Sequence, residues 1–247
     1  ERIIFEKTSS LLDSIIIVAK QSSKEITESI KKNISKNKAN KYFFNEDYNF
    51  VIKENDFFYY EDKYGGLEIP KPSMKGQFQL ENASTAIASL RVLENLNIKD
   101  QHIINGVKKA YNSARLEEIK SGKLKNLVRD NTLIVDSSHN PGGSKSLNEY
   151  LQTLNCNKHV IIGMMENKDH EKFISYFKDI SSLTVIDIPN QVNAISGKKL
   201  KEKFKNFANL SFSENIEQAL KDLMLNQDDV IIRTGSIYLT GEVLNLN

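Results

Sequence analysis

From residue 133 onward, short apolar runs alternate with stretches of helical spacing. This alternation restricts the possible folds more than any other feature of the chain. The apolar runs fall at 133–135, 159–162, 185–188 and 230–233, with a very short one at 210–212. Helical patterns separate them at 144–154, 171–180, 197–207 and 215–225. Each apolar run has the length of a buried strand, and strands that alternate with helices at this spacing form βαβ units. An α/β domain with a mostly parallel, Rossmann-like sheet of at least four strands is therefore expected over 111–247. In open sheets of that kind, ligands bind outside the carboxyl ends of the strands.

The most informative such end is LIVDSSHNPGG at 133–143. Three apolar residues run into Asp136, two serines, His139, Asn140, Pro141 and a glycine pair. A turn needs only the Asn, Pro and Gly. The carboxylate and imidazole are surplus to it, so Asp136 and His139 are candidate site residues. Asp136 could hold a Mg²⁺-bound water, a ribose hydroxyl or a basic group, or could simply form the turn. GMMENKD at 163–169 leaves a second strand at the same edge, where Lys168 and Asp169 either meet a ligand or cap the next helix. RTGSIYLTGE leaves a third, and Gly235 with Ser236 offers backbone N–H groups and a hydroxyl suited to a carboxylate or phosphate. The alternative there is a tight turn leading into a terminal strand. Arg115, in NSARLEEI, can reach a phosphate with its planar fork or pair with Glu117 or Glu118.

The first half reads differently. A strand is expected at 15–18 and a helix at 22–38, where Ile26, Ile30 and Ile34 share a face. Strands at 41–44, 48–53 and 56–60 read as a meander, and 65–76 as a connector stiffened by Pro70 and Pro72. A helix at 80–95 has Ala83, Ala86, Ile87, Leu90 and Leu93 as its buried stripe, and a second covers 99–110. The boundary between the halves falls near 111–113.

Composition excludes several classes. Lys plus Arg number 34 against 32 Asp plus Glu, a net of +2, which is not the footprint of a nucleic-acid binder. Cys156 is the only cysteine, so no intrachain disulfide can form, and the other histidines show no zinc-ligand spacing with it. No apolar run is long enough to span a membrane. No Walker A motif and no nucleophile elbow occur. The opening ERIIFEK has neither Met nor signal-peptide features and reads as a cut inside a larger protein.

Taken in order, these motifs resemble the folylpolyglutamate synthase and dihydrofolate synthase family of Mur-type amide ligases. EKTSS at 6–10 is similar to that family's Glu-Lys-Ala-Gly-Ile, through Glu6 and Lys7. KGQFQLENASTAIASL at 75–90 keeps Gln79, Asn82 and Ala83 of a Gly-x-His-Gln-x-x-Asn-Ala helix entry. SARLEEI keeps Arg115, Leu116 and Glu117 of Pro-Gly-Arg-Leu-Glu. DSSHNPGG keeps Asp136, His139, Asn140 and Pro141 of Asp-Gly-Ala-His-Asn-Pro, with Ser137 and Ser138 in place of Gly-Ala. GMMENKD and GSIYLTGEV resemble Gly-Met-x-x-Asp-Lys-Asp and Gly-Ser-x-Tyr-x-x-Gly-Glu.

The resemblance implies that residues 1–110 are the tail of a central ATPase domain and 111–247 a C-terminal glutamate-ligase domain. It implies a phosphate-binding loop upstream of Glu1, so that this span alone is inactive. The implied reaction adds L-glutamate to dihydropteroate or a reduced folate with ATP and Mg²⁺, with a monovalent cation as a further possibility. It implies a cytoplasmic monomer serving folate and one-carbon metabolism, with neither nucleic-acid nor membrane partners. Asn82, Arg115 and Asp136 would lie on the nucleotide, and His139 and Ser236 on the glutamate. Lys7, carbamylated, would hold Mg²⁺ and count with His139 among the catalytic residues. The alternatives are another Mur-type ligase, acting on a cell-wall precursor or a different amino acid, and a non-catalytic α/β scaffold.

Overall fold

The computed structural model describes residues 2–9, 11, 14–93 and 95–246. Ser10 of the EKTSS segment and Glu94 of the expected 80–95 helix lie outside these. The chain divides into two compact units, Glu1–Ser73 with Gln77–Tyr111, and Met74–Gly76 with Asn112–Asn247.

The first unit begins with α1 (Arg2–Thr8), β1 (Ile16–Val18), α2 (Lys24–Ile34) and β2 (Lys41–Phe43). Ser23 starts α2 by accepting the Ile26 N–H on its side chain. β1 and β2 pair in parallel, residue 16 opposite 41. The 41–44 run is therefore not the first strand of the meander. That consists of β3 (Tyr48–Ile52), β4 (Phe57–Asp62) and β5 (Gly65–Pro70), antiparallel throughout. β5 corrects the expected connector. Pro70 closes an edge strand, where its missing N–H breaks no ladder, and Leu67 and Ile69 alternate inward.

α3 (Phe78–Arg91) and α4 (Asp100–Lys109) complete this unit. Its core joins Tyr48, Phe58, Tyr60 and Ile69 of the sheet to Leu80, Ile87 and Ala88 of α3 and Ile103 and Val107 of α4. The buried face of α3 is Gln79, Leu80, Ser84, Ile87 and Ala88. The expected stripe is thus rotated: Ala86 and Leu90 lie exposed. Alanines and small polar residues on every side of this helix weaken the periodic signal that would orient it.

The second unit runs β6 (Glu117–Ile119), α5 (Lys123–Leu127), β7 (Thr132–Val135), α6 (Pro141–Leu151), β8 (Lys158–Ile162) and α7 (His170–Ile174). It continues with β9 (Ser182–Ile186), α8 (Gly197–Lys203), β10 (Leu210–Ser213), α9 (Ile216–Asp222), β11 (Val230–Thr234) and α10 (Ile237–Leu246). The strands form one six-stranded sheet in the order β10-β9-β8-β11-β7-β6. Every pairing is parallel except β6 with β7. The mostly parallel α/β architecture is as expected, with five strands in its parallel part.

Sequence reading missed β6 and α5, because three half-polar residues and a single helical turn carry no usable period. It also drew the helices after β8, β9 and β10 several residues too long. Residues 237–246 form a helix, not a strand. Ser236 accepts the Tyr238 N–H on its side chain at 3.2 Å and its carbonyl accepts from Thr240 N, which is how an N-cap starts α10. Val135, Ile161, Ile186 and Ile231 of the strands pack with Leu124, Leu220, Leu239 and Val243 of α5, α9 and α10 into one hydrophobic core.

Candidate active site at the carboxyl edge of the sheet

β11 lies at the centre of the sheet, flanked by β7 and β8, so the loops after these three parallel strands emerge side by side. They are pinned to each other through backbone bonds. Gly235 N donates to the Ser138 carbonyl at 2.8 Å, and the Thr234 hydroxyl reaches the same oxygen at 3.2 Å. Gly235 has φ of +102°, and a Cβ there would meet the Gly163 carbonyl at 2.6 Å. Only glycine fits that turn at that distance.

Asp136 is buried at 1% exposure. Its Oδ1 accepts the Ser138 N–H at 2.8 Å and its Oδ2 the Leu116 N–H at 3.1 Å. The carboxylate thus folds its own loop and holds the chain entering β6. Asn140 caps α6 by accepting the Gly143 N–H at 2.9 Å, and Pro141 occupies the first turn. A Cβ on Gly143 would sit 2.9 Å from the Ser138 side chain, so the second glycine of the pair makes room for Ser138.

His139 stands at the mouth of this loop, half-buried. Its Nδ1 lies 3.0 Å from the Ser137 carbonyl. A carbonyl only accepts, so Nδ1 carries the hydrogen and Nε2 is left for a ligand. The neutral ring offers Nε2 as an acceptor for an amine. The protonated ring offers it as a donor for a carboxylate.

His139 lines a cleft of about 610 Å³ together with Glu166, Lys168, Asn193, Ser236 and Tyr238. The cleft joins the ends of all three loops, and a flap closed by the Met165–Ala194 bridge contributes Asn193. Lys168 is half-buried, and its ammonium has no hydrogen bond or ion pair among the described residues. Asp169, by contrast, caps α7 by accepting the Lys172 N–H, and so takes the structural role.

Arg115 sits where the chain enters this unit. Ala114 and Leu116 on either side have φ of +58° and +50°. Glu117 stabilises this unusual turn by accepting from the Ser113 hydroxyl at 3.0 Å and the Ala114 N–H at 2.6 Å. Glu118 pairs with Lys75 at 2.7 Å, which holds its carboxyl below the ordinary value. Both acids that might have neutralised Arg115 are therefore engaged elsewhere. The guanidinium is half-buried and has no protein partner among the described residues.

The structure thus brings Arg115, Asp136, His139 and Ser236 to the carboxyl edge of one sheet. Asn82 and Lys7 belong to the first unit. Asn82 is exposed on α3, its amide donating to Gln79 at 3.1 Å. Lys7 is exposed near the end of α1. Among the described residues, no group of three or more His, Cys, Asp or Glu side chains is placed to hold a metal ion, and no helix is long and apolar enough to cross a membrane. Sequence reading overlooked Arg233, a fully buried cation near the carboxyl end of β11 that lies under the Ser236 turn. A charge inside the run VIIRT was the available signal.

Residues 114–237 match the family described as Mur ligase, glutamate ligase domain. No curated protein matches the sequence. Among solved structures, a folylpolyglutamate synthase from Thermotoga maritima is similar, with a TM-score of 0.73 at 22% identity over 99% of this chain and 56% of that one. E. coli FolC in complex with DHPP and ADP gives 0.79 at 20% identity, over 98% of this chain and 55% of that one. The bifunctional folylpolyglutamate synthase/dihydrofolate synthase from Yersinia pestis, complexed with AMPPNP and Mn ion, gives 0.79 at 21%, over 99% and 56%. At these identities the likeness is one of fold, and the chain spans little more than half the length of those proteins. The family match takes in just over half of the chain, and its sheet carries the expected loops: the chain belongs to the Mur ligases, through their glutamate ligase domain.

Proposed function

We propose that the full-length protein is an ATP-dependent amide ligase that joins L-glutamate to dihydropteroate or a reduced folate. One observation carries this reading. The three loops after β7, β8 and β11 meet at a cleft where His139 Nε2, Lys168 and the turn at Ser236 are left for a ligand. Such a set suits a small zwitterion with an extra carboxylate. The solved relatives support the substrates: one is bound to DHPP and ADP, another to AMPPNP and Mn ion.

In this reading the folate carboxylate attacks the γ-phosphorus of ATP, ADP leaves, and an acyl phosphate forms. The amino group of glutamate then attacks the acyl carbon, phosphate leaves, and the amine proton passes to solvent or to phosphate. Charge neutralisation and positioning dominate such a transfer. Arg115 suits the first step because its guanidinium has no competing carboxylate. Asp136 keeps the Arg115 turn in place through Leu116 N, and Asn82 presents an exposed amide for the base or ribose. His139 and the Ser236 turn orient the glutamate, and the acyl phosphate must be kept from water until the amine attacks.

Lys7, as a carbamate, would add an oxygen ligand for Mg²⁺. No metal-holding cluster surrounds it among the described residues. An intact-mass spectrum of Mg²⁺-treated full-length protein showing only the unmodified lysine would remove this assignment.

The deciding experiment supplies the full-length protein with ATP, Mg²⁺, a pteroate acceptor and a panel of amino acids, and follows amide formation. Ligation confined to glutamate is expected. Preference for another amino acid would make it a different Mur-type ligase, and no ligation at all would make it a non-catalytic relative.

A further inference from the structure

Arg233 occupies a position that costs stability. It is 0% exposed within β11, and desolvating a guanidinium without an ion pair is unfavourable by several kcal/mol. Among the described residues it makes no direct ion pair, and its Nε has no hydrogen-bond partner. Burial pushes its pKa down to about 9, against the pull of the Asp136 carboxylate, so it remains a cation at neutral pH.

Its remaining donors converge on one turn. Nη2 donates to the Ser236 carbonyl at 2.9 Å, and Nη1 donates to the Thr240 hydroxyl. That hydroxyl donates in turn to the Ser236 carbonyl at 2.8 Å, and Thr240 N reaches the same oxygen at 3.2 Å. One carbonyl therefore receives three donors, one of them charged. The same peptide unit carries the Ile237 N–H, the first of α10, which has no acceptor among the described residues. Ile237 lines the cleft and is 56% exposed. Drawing charge onto a peptide oxygen strengthens the N–H at its other end, and a helix N-terminus favours an anion.

We propose that Arg233 is a positioning residue of the cleft: from beneath the sheet's edge it fixes and polarises the 236–237 peptide, which presents the Ile237 N–H to a carboxylate of the incoming acidic amino acid. This rests on the glutamate-ligase reading above. A buried Arg kept only for stability would leave substrate affinity alone.

The test is steady-state kinetics on the full-length enzyme with L-glutamate and ATP varied separately, for Arg233→Met, Arg233→Lys and Thr240→Val. Arg233→Met should raise the KM for glutamate about ten-fold, the scale of one charge-assisted hydrogen bond, and change the KM for ATP less than about two-fold. Thr240→Val should raise the KM for glutamate about three-fold, and Arg233→Lys should recover part of the loss. Folded variants with an unchanged KM for glutamate, whatever their melting temperature, would overturn the proposal. If Arg233→Met does not fold, Thr240→Val decides alone by the same criterion. If the unmutated enzyme ligates a different amino acid, the glutamate reading fails, and the KM for that amino acid tests Arg233 in its place. An enzyme that ligates none overturns both.

Discussion

The two ends of the six-stranded sheet hold similar side chains in opposite states. At the amino end, His159 has both ring nitrogens engaged: Nε2 donates to Asp229 at 3.1 Å, and Nδ1 accepts from the Ser182 hydroxyl at 2.8 Å. Asp229 also accepts from Asn157 at 2.9 Å and from Asn226 N at 2.8 Å. At the carboxyl end, the His139 ring bonds through one nitrogen only, while the Lys168 ammonium and the Arg115 guanidinium have no partner among the described residues. A serine, a histidine and an aspartate in contact look like catalytic equipment, yet the satisfied set ties β8, β9 and β11 together. The unsatisfied set is the one able to bind. Spare hydrogen-bonding capacity, rather than residue type, distinguishes a site from a clamp.

The contrast can be broken most forcefully at Arg115. Arg115→Ala in the full-length protein should lower kcat/KM for ATP by about 100-fold or more, as expected for a donor to a transferring phosphoryl group. Its melting temperature should stay within about 2 °C of the parent, because the guanidinium supports nothing in the fold. A variant with parental rate and ATP affinity would remove Arg115 from the site.

Asp229→Asn should do the reverse. It should lower stability by roughly 2–3 kcal/mol in chemical denaturation, by disrupting a buried network, and leave both KM values as they were. The acid limb sharpens this. Burial acts to raise the Asp229 pKa, but the donors from Asn226, Asn157 and His159 outweigh it, and the net lies below the ordinary value. Its contribution is then complete above the unfolded carboxylate's pKa of about 3.9 and is lost as pH falls through the lowered folded value. The parent protein should lose stability below about pH 4 more steeply than Asp229→Asn. Parallel acid curves would show that the clamp contributes nothing.

The smallest expected effect is at His139. His139→Ala should raise the KM for L-glutamate about ten-fold and spare that for ATP, since only one ring nitrogen is offered to the ligand. Equal increases in both would place His139 on the nucleotide instead.

Much of this unit was legible in the sequence. The apolar runs of β7, β8 and β11 identified three buried strands, and the polar loops after them identified the edge to inspect. Arg115 could be singled out by type, but its freedom could not. That freedom depends on Glu118 reaching Lys75, which lies in a distant part of the sequence, and on Glu117 folding back onto Ser113 and Ala114. Asp136 and His139 were found together, yet their roles differ because one carboxylate faces inward onto two backbone N–H groups. The rotated face of α3 and the strand β5 were misread where alanines and a proline blurred the period.

Local sequence determined which segments become strands and helices, where the polar loops fall, and which turns require glycine. These follow from period, capping and backbone sterics, all short-range properties. Tertiary structure decided the strand order that sets β11 between β7 and β8, and hence that the loops holding His139, Lys168 and Ser236 share one cleft. It also decided which polar groups are already paired, and that a cation within β11 lies beneath the Ser236 turn. Those outcomes depend on which distant segments meet, and no local pattern in the chain encodes that.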